Sequence, residues 1–318
     1  MKREVIITGA SGFLGREICR QLGGRGWSIL GLSTDPARAA RESKLTEVDL
    51  RWLGLDSAEA NAEIARVGKV VNLAGAHPFA RRWTSAYKRF VHDSRVETTR
   101  RIVAALAGSR APDKTLVSVS GAGYYGHCRD ELVRDDRPAG PAWFLSEMIS
   151  SWEVVATTVE RDGARVALLR VGLALERDGG ALPIIEQNFR RHMGGHVGDG
   201  SQYVAWLHNE DCAAMFVRAL EDAAWRGAYL VASPNPVSFA ELARAVGERL
   251  RRRSWFHPPA WMARLMIGEA SAILLESQRA APARVLEHGF QFRYPTLASA
   301  FDAIYQERAR QVTTRAAA

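Results

Sequence analysis

The strongest constraint on this chain lies at its start. Val5-Ile6-Ile7-Thr8 is a short apolar run that passes directly into Gly9-Ala10-Ser11-Gly12-Phe13-Leu14-Gly15 and then into a helical pattern from Arg16 to Leu22. A turn this tight needs backbone angles that only glycine reaches freely, and a bare backbone lets a pyrophosphate approach the amides at the positive end of the helix. Gly15, the third glycine, allows the helix to pack close to the strand. A glycine triplet alone says little. Placed between a buried-type strand and a helix at the opening of a βαβ pattern, it reads as a dinucleotide-binding turn, with Gly9, Ser11, Gly12, Phe13, Leu14 and Gly15 as the expected cofactor contacts.

The rest of the first half fits that reading. Val5-Ile6-Ile7, Ile29-Leu30-Gly31-Leu32, Val70-Val71-Asn72-Leu73, Leu116-Val117-Ser118-Val119 and Val166-Ala167-Leu168-Leu169 are apolar runs separated by helical patterns, among them Thr84 to Ala107 and Ala142 to Val159. Strands apolar on both faces belong to a parallel sheet covered by helices on both sides, so the expected fold is α/β, a Rossmann doubly wound sheet with a smaller C-terminal α/β substrate lobe. We expect the Rossmann domain at 1–171, with the chain returning to it at about 203–232 through strands at Tyr203 to Leu207 and Ala228 to Ala232. The lobe is then 172–202 and 233–318. Within it, Ser238 and Glu241 form a capping box for a helix to about Arg252, a helix is expected near Met262 to Ser277, and Phe290-Gln291-Phe292 reads as a strand.

Composition excludes several classes. With 318 residues and 47% hydrophobic content the chain buries a substantial core. Cys19, Cys128 and Cys212 are widely spaced, without a Cys-x-x-Cys pair, so neither a disulfide framework nor a zinc site is expected. The net charge of +8 is spread along the chain, and only Arg251-Arg252-Arg253 forms a run, which reads as a solvated helix end and not as a nucleic-acid surface. Trp261 to Leu275 is the most apolar late stretch but carries Arg264 and Glu269, short of a membrane span. The first strand begins almost at once, leaving no room for a signal peptide, so a cytoplasmic protein acting on a small molecule is expected. Oligomeric state is not legible.

The residue that reads the cofactor ribose lies roughly 20 positions after the glycine turn, at the end of the second strand. No acid stands there to repel a 2′-phosphate. Ser33 and Thr34, with Arg38 one helical turn on, offer donors instead, so the expected cofactor is NADP, with NAD as the alternative; equally, Ser33 or Thr34 caps the next helix.

Together these residues resemble the atypical extended short-chain dehydrogenases/reductases, the epimerase-like family described as NAD-dependent epimerase/dehydratase. The likeness runs nearly the whole chain. It is carried by the glycine turn, by Val71-Asn72-Leu73-Ala74-Gly75 with Arg82-Trp83-Thr84, by Ser94-Arg95-Val96-Glu97-Thr98-Thr99-Arg100 and by Ser118-Val119-Ser120-Gly121-Ala122-Gly123-Tyr124-Tyr125-Gly126. Later come Arg177-Asp178-Gly179-Gly180-Ala181-Leu182-Pro183, Trp206-Leu207-His208-Asn209-Glu210-Asp211 and, resembling the family's own short C-terminal domain, Leu274-Leu275-Glu276-Ser277-Gln278-Arg279 with Pro282 and Gly289-Phe290. The resemblance implies that Leu73, Ala74 and Gly75 lie along the cofactor and that Ser118 to Tyr125 faces the nicotinamide. Two positions depart from the family: Thr34 replaces an Arg, and Gly121 replaces an Ala.

The superfamily usually catalyses with a Tyr and a Lys four residues apart on the helix after the fifth strand. The five lysines, Lys2, Lys44, Lys69, Lys88 and Lys114, all precede that helix, and the matching positions are Leu145 and Ile149. An unassisted tyrosine, pKa ~10, donates a proton but is a poor base at neutral pH. Candidate catalytic residues are therefore Tyr125, Glu147 and Ser120, with Glu147 otherwise an exposed helical carboxylate. Substrate-side candidates are Tyr124, His77 (otherwise part of a turn beside Pro78), Arg95 (otherwise in a structural ion pair) and His208 (otherwise a core or capping histidine). Three functions fit: an oxidoreductase transferring hydride without the Tyr-Lys couple, an epimerase or dehydratase of nucleotide sugars, and a cofactor-binding sensor or scaffold without turnover.

Overall fold

The structure, a computed structural model, describes residues 3–78 and 80–316. Its centre is a seven-stranded sheet. The first five strands are β1 (Arg3–Thr8), β2 (Trp27–Ser33), β3 (Leu50–Gly54), β4 (Lys69–Asn72) and β5 (Thr115–Gly121), joined by the strands Arg165–Val171 and Gly227–Val231. The spatial order is Gly227–Val231, Arg165–Val171, β5, β4, β1, β2, β3. β1 pairs parallel with both β2 and β4, and β5 pairs parallel with Arg165–Val171. Strand order thus reverses between β1 and β4, opening a crevice at their carboxyl ends, the place where open α/β sheets bind ligands.

Helices α1 (Phe13–Gly23), α2 (Pro36–Ser43), α3 (Ala58–Val67), α4 (Ser85–Ala107) and α5 (Phe144–Thr157) follow the strands. On one face Ile6, Leu30, Val70, Leu116 and Val166 meet Ile64, Ile102, Leu106 and Ala156 in a fully buried core. Burying each such side chain contributes roughly 1.5–3 kcal/mol, which accounts for the two-sided apolar runs in the sequence. β3 is not evident in the sequence, because Leu50 to Gly54 is a half-exposed edge strand carrying Arg51. Trp52 of β3 lies against Gly31 of β2, where a Cβ would come within 2.7 Å of the indole.

Two compact units emerge. One holds the chain up to Tyr124, Pro141–Val171 and Cys212–Tyr229; the other holds Tyr125–Gly140, Gly172–Asp211 and the chain from Leu230 on. The first unit is re-entered through the helix Asn209–Glu221, not through a strand at Tyr203 to Leu207. That expected strand is two short ones: Tyr203–Val204 pairs antiparallel with Val237–Ser238, and Trp206–His208 pairs parallel with Leu173–Glu176. Both belong to the second unit, whose core gathers Leu175, Phe189, Trp206, Leu242, Val246 and Phe301.

Within the second unit the Ser238–Glu241 capping box forms, opening the helix Phe239–Leu250. The helix expected from Met262 to Ser277 breaks at Gly268 into Ala260–Ile267, a 3-10 turn and Ala272–Leu275, because Gly268 adopts a positive φ. Phe290 to Phe292 is not a strand: the two rings pack edge to face at 5.2 Å. The amides that follow, of Arg293 and Tyr294, donate to the Asp211 carboxylate at 2.9 Å each. No helix among the described residues is long and apolar enough to cross a membrane.

Candidate functional site

The glycine turn sits at the carboxyl end of β1. Gly9 has φ +70°, and a Cβ on Gly15 would lie 2.2 Å from the Gly9 carbonyl oxygen, so both glycines are obligatory for the turn itself. Gly12 is exposed and is the N-cap of α1 without a side-chain cap, and the first amide returning to the turn is that of Arg16, which donates to the Gly12 carbonyl at 2.8 Å. The amides of Phe13, Leu14 and Gly15 thereby face the crevice end of α1 with no intrahelical acceptor, the arrangement that holds a phosphate. Ser11 and Arg16 brace the turn: the Arg16 Nη1 donates to the Ser11 carbonyl at 3.0 Å.

At the end of β2 the cap of α2 is Asp35, whose carboxylate accepts from the Arg38 amide at 3.0 Å. Neither Ser33 nor Thr34 caps the helix. Ser33 Oγ accepts from the Asp35 amide at 3.1 Å, Thr34 is exposed, and the Arg38 side chain extends into solvent toward Glu42.

The crevice floor is a buried polar network. Thr8 Oγ1 donates to Asn72 Oδ1 at 2.7 Å and accepts from the amides of Leu73 and Ala74 at 3.0 and 3.1 Å. Asn72 Nδ2 donates to Thr99 of α4 at 2.9 Å and to Ser118 at 3.4 Å. Leu73, Ala74 and Gly75 are thus pinned along the crevice edge. Ser118, expected at the cofactor, is instead buried within this network. The chain after Gly75 is tied to α4 as well: Ala76 donates to Ser94 Oγ at 3.0 Å, and the Tyr87 hydroxyl donates to the His77 carbonyl at 2.5 Å, leaving the His77 side chain exposed. Arg95 of α4 packs against Gly75, and burial lowers its pKa to about 10.

Beyond β5 the positions of the missing catalytic pair are filled by apolar groups. Ile149 Cδ1 lies 3.2 Å from where a Cβ on Gly121 would stand, and Leu145 packs on Gly123. Glu147, two residues from each of these, points to the opposite side of α5 and is exposed, as a first-turn helical carboxylate. Tyr125 is 1% exposed and its hydroxyl donates to the Asp135 carbonyl at 3.3 Å. Both residues are therefore removed from the catalytic candidates by geometry.

Ser120 leads to a cluster that sequence reasoning missed. Its Oγ donates to Glu153 Oε1 at 2.5 Å, and Glu153 receives Arg170 through Nε at 2.9 Å and Nη2 at 2.8 Å. Both charged side chains are buried. The Arg170 guanidinium lies 3.5 Å from the centre of the half-buried Tyr124 ring, a close cation–π stack. The signal was present in the sequence: Glu153 falls one turn after Ile149 on the inward face of α5, and Arg170 directly follows the apolar run Val166 to Leu169. Buried charges of opposite sign on adjacent elements call for each other.

His208, in the second unit, is 2% exposed. Its Nδ1 accepts from the Glu210 amide at 3.1 Å and its ring lies 4.0 Å from that of Tyr294. Burial, then the nearby Arg293, lowers its pKa to about 4, so it is a neutral capping histidine.

The NAD dependent epimerase/dehydratase family matches residues 5–232, most of the chain. The chain belongs to that family. A domain of unknown function matches residues 258–304, where the motifs resemble the C-terminal domain found in members of this epimerase/dehydratase family. Similar members are an SDR39U1 homologue, described as chloroplastic, from Arabidopsis thaliana, 32% identical over 95% of this chain and 86% of its own length. The human epimerase family protein SDR39U1 is 31% identical over 94% and 99%. The crystal structure of human SDR39U1 with NADPH superposes with a TM-score of 0.84 at 29% identity, covering 95% of this chain and 99% of that one. A nucleoside-diphosphate sugar epimerase from Corynebacterium glutamicum gives 0.74 at 28%, covering 95% of this chain and 58% of that one.

Proposed function

We propose that this protein binds NADP(H) on the glycine turn and is an oxidoreductase that transfers hydride to or from a small-molecule substrate without a Tyr-Lys couple. The observation that carries the cofactor is the end of α1: an exposed Gly12 and three amides with no intrahelical acceptor fit a pyrophosphate. Ser33, Thr34 and Arg38, with no acid at Ser33, suit a 2′-phosphate, and the human relative solved with NADPH supports the same choice. When bound, the dinucleotide supplies or accepts the hydride.

The chain's own part is positioning and proton delivery. Gly121 and Gly123, backed by Ile149 and Leu145, make an apolar wall at the end of β5. Of the two tyrosines after β5, Tyr124 is the half-buried one, and the Glu153–Arg170 pair fixes the cation beneath it. Reduction of a carbonyl or imine needs one proton delivered, which a neutral phenol can give, whereas reversible sugar oxidation needs a base in both directions. Leu145 and Ile149 therefore favour the reductase over the epimerase.

Calorimetric titration should show NADPH binding more tightly than NADH. Single-turnover oxidation of bound NADPH against a panel of carbonyl and imine compounds then tests Tyr124→Phe, which keeps the ring on Arg170 and removes the hydroxyl. A loss of about 10²–10⁴-fold in rate is expected. Full activity in that variant would sink Tyr124 as the donor, and NADPH bound without oxidation of any kind would turn the reading to a cofactor-binding sensor.

A further inference from the structure

Arg95 is a part-buried cation with no counter-charge among the described residues. Its polar and ring contacts are a hydrogen bond from Nη1 to the Val91 carbonyl at 3.0 Å, the face of the Trp152 ring 5.5 Å from Cζ, and the phenol of Tyr87 nearby. No carboxylate among the described residues pairs with it. The acids nearest in sequence on α4, Asp93 and Glu97, are exposed on other sides of the helix, Asp93 bonded to His92 and Glu97 to Arg100.

Position makes this unusual. A Cβ on Gly75 would come within 2.9 Å of Arg95 Cζ and 3.1 Å of its Nε, so the Arg95 side chain packs directly against the bare backbone of Gly75. Gly75 itself is exposed and follows the carboxyl end of β4, at the switch point of the sheet. Gly75 is therefore small so that Arg95 reaches the crevice edge. The segment is held still by Ser94, which accepts from Ala76, and by Tyr87, which donates to His77. Arg81 and Arg82, exposed further along the same loop, add positive charge.

Keeping a guanidinium charged in partial burial without an anion costs free energy, and the fall of its pKa to about 10 expresses that cost while leaving the group fully protonated near neutral pH. The structural arginines of this chain are given several acceptors: Arg170 has the two oxygens of Glu153, and the buried Arg165 has the carbonyls of Ala219, Leu220 and Trp225, whereas Arg95 has the Val91 carbonyl. We propose that Arg95 is the receptor for an anionic oxygen, a carboxylate or phosphate, bound in the crevice beside Gly75. This rests on the crevice being the ligand site. The oxyanion belongs either to the substrate, which is then an acid or phosphate ester, or to the dinucleotide.

The probes are inorganic phosphate and acetate, titrated calorimetrically into the protein with and without NADPH. Arg95→Met keeps the packing stem and removes the charge. Gly75→Ala keeps the charge but displaces the guanidinium, and it serves if Arg95→Met does not fold. Either variant, folded by circular dichroism, should lose one saturable anion site of the native protein, weakened tenfold or more, with Arg95→Lys partly restoring it. If that site persists in NADPH-loaded native protein, the anion is the substrate's. If NADPH abolishes it and Arg95→Met also weakens NADPH tenfold or more, the anion is the cofactor's. Native protein with no saturable anion site, or folded variants that bind both probes as the native does, overturn the proposal. The titration without cofactor stands even if NADPH fails to bind, so the two readings fail separately.

Discussion

Glu153→Gln isolates what the buried pair beneath Tyr124 contributes. Glutamine keeps the size of the side chain and can still accept from Ser120 and from Arg170 Nε through its one carbonyl oxygen, so the change removes the charge opposite Arg170 together with the acceptor of its Nη2. The pair is bidentate, at 2.9 and 2.8 Å, with side chains 7% and 10% exposed for Arg170 and Glu153. Removing one partner of such a pair leaves an uncompensated buried charge and costs about 3–5 kcal/mol. Taking roughly 2–3 °C per kcal/mol for a chain of this size, the melting temperature should fall by about 6–15 °C. Replacing both residues by methionine should cost less than Glu153→Gln alone, since no lone charge remains. Thermal or urea unfolding of native, single and double variants, read as a double-mutant cycle, measures this coupling. A loss under about 1 kcal/mol for Glu153→Gln, or a double variant as unstable as the sum of the singles, would refute the claim that the two charges depend on each other.

Two further outcomes are expected. Ser33→Asp sets a carboxylate where a 2′-phosphate would lie and should shift the NADP-to-NAD affinity ratio at least tenfold toward NAD, about 1.4 kcal/mol; titrations giving an unchanged ratio would place the ribose elsewhere. His208 has a folded pKa of about 4, below the ~6.5 of the unfolded chain. The unfolded state therefore binds the proton more readily, and the stabilisation, complete above about pH 6.5, is lost as pH falls toward 4. The order of magnitude is ~3 kcal/mol, so the stability advantage of the native protein over His208→Gln should shrink across that interval, and parallel curves for the two proteins would contradict it.

What the sequence revealed and what it hid have different physical origins. The glycine turn and the apolar strands were legible because each signal is local: three glycines on one turn, or a run of Val, Ile and Leu buried on both faces. β3 was hidden because an edge strand alternates Leu50, Arg51 and Trp52 like many exposed segments. Phe290 and Phe292 gave the period of a strand, yet the amides after them are satisfied by the Asp211 side chain and not by a neighbouring strand, a contact no local pattern announces. Tyr125 and Glu147 were legible as residue types but not as directions: two positions along a helix separate the inward Leu145 from the outward Glu147. The Glu153–Arg170 pair is a relation between a helix and a strand, and each half alone looks like an ordinary charge.

The way residues 258–304 are fastened has a consequence for anyone wishing to handle them as a domain. Buried carboxylates and hydroxyls from outside the segment hold its backbone at single points: Asp135 accepts from the Arg284 amide at 3.0 Å, Asp211 from those of Arg293 and Tyr294, and Ser233 donates to the Pro295 carbonyl at 2.7 Å. Its own strand is the two-residue Arg279–Ala280, paired with Leu132–Val133. Cut free, such a segment would keep its short helices and lose these anchors to Asp135, Asp211 and Ser233. It is inherited as a fitting of the larger chain, and transplanting it onto another scaffold means carrying Asp135, Asp211 and Ser233 along with it.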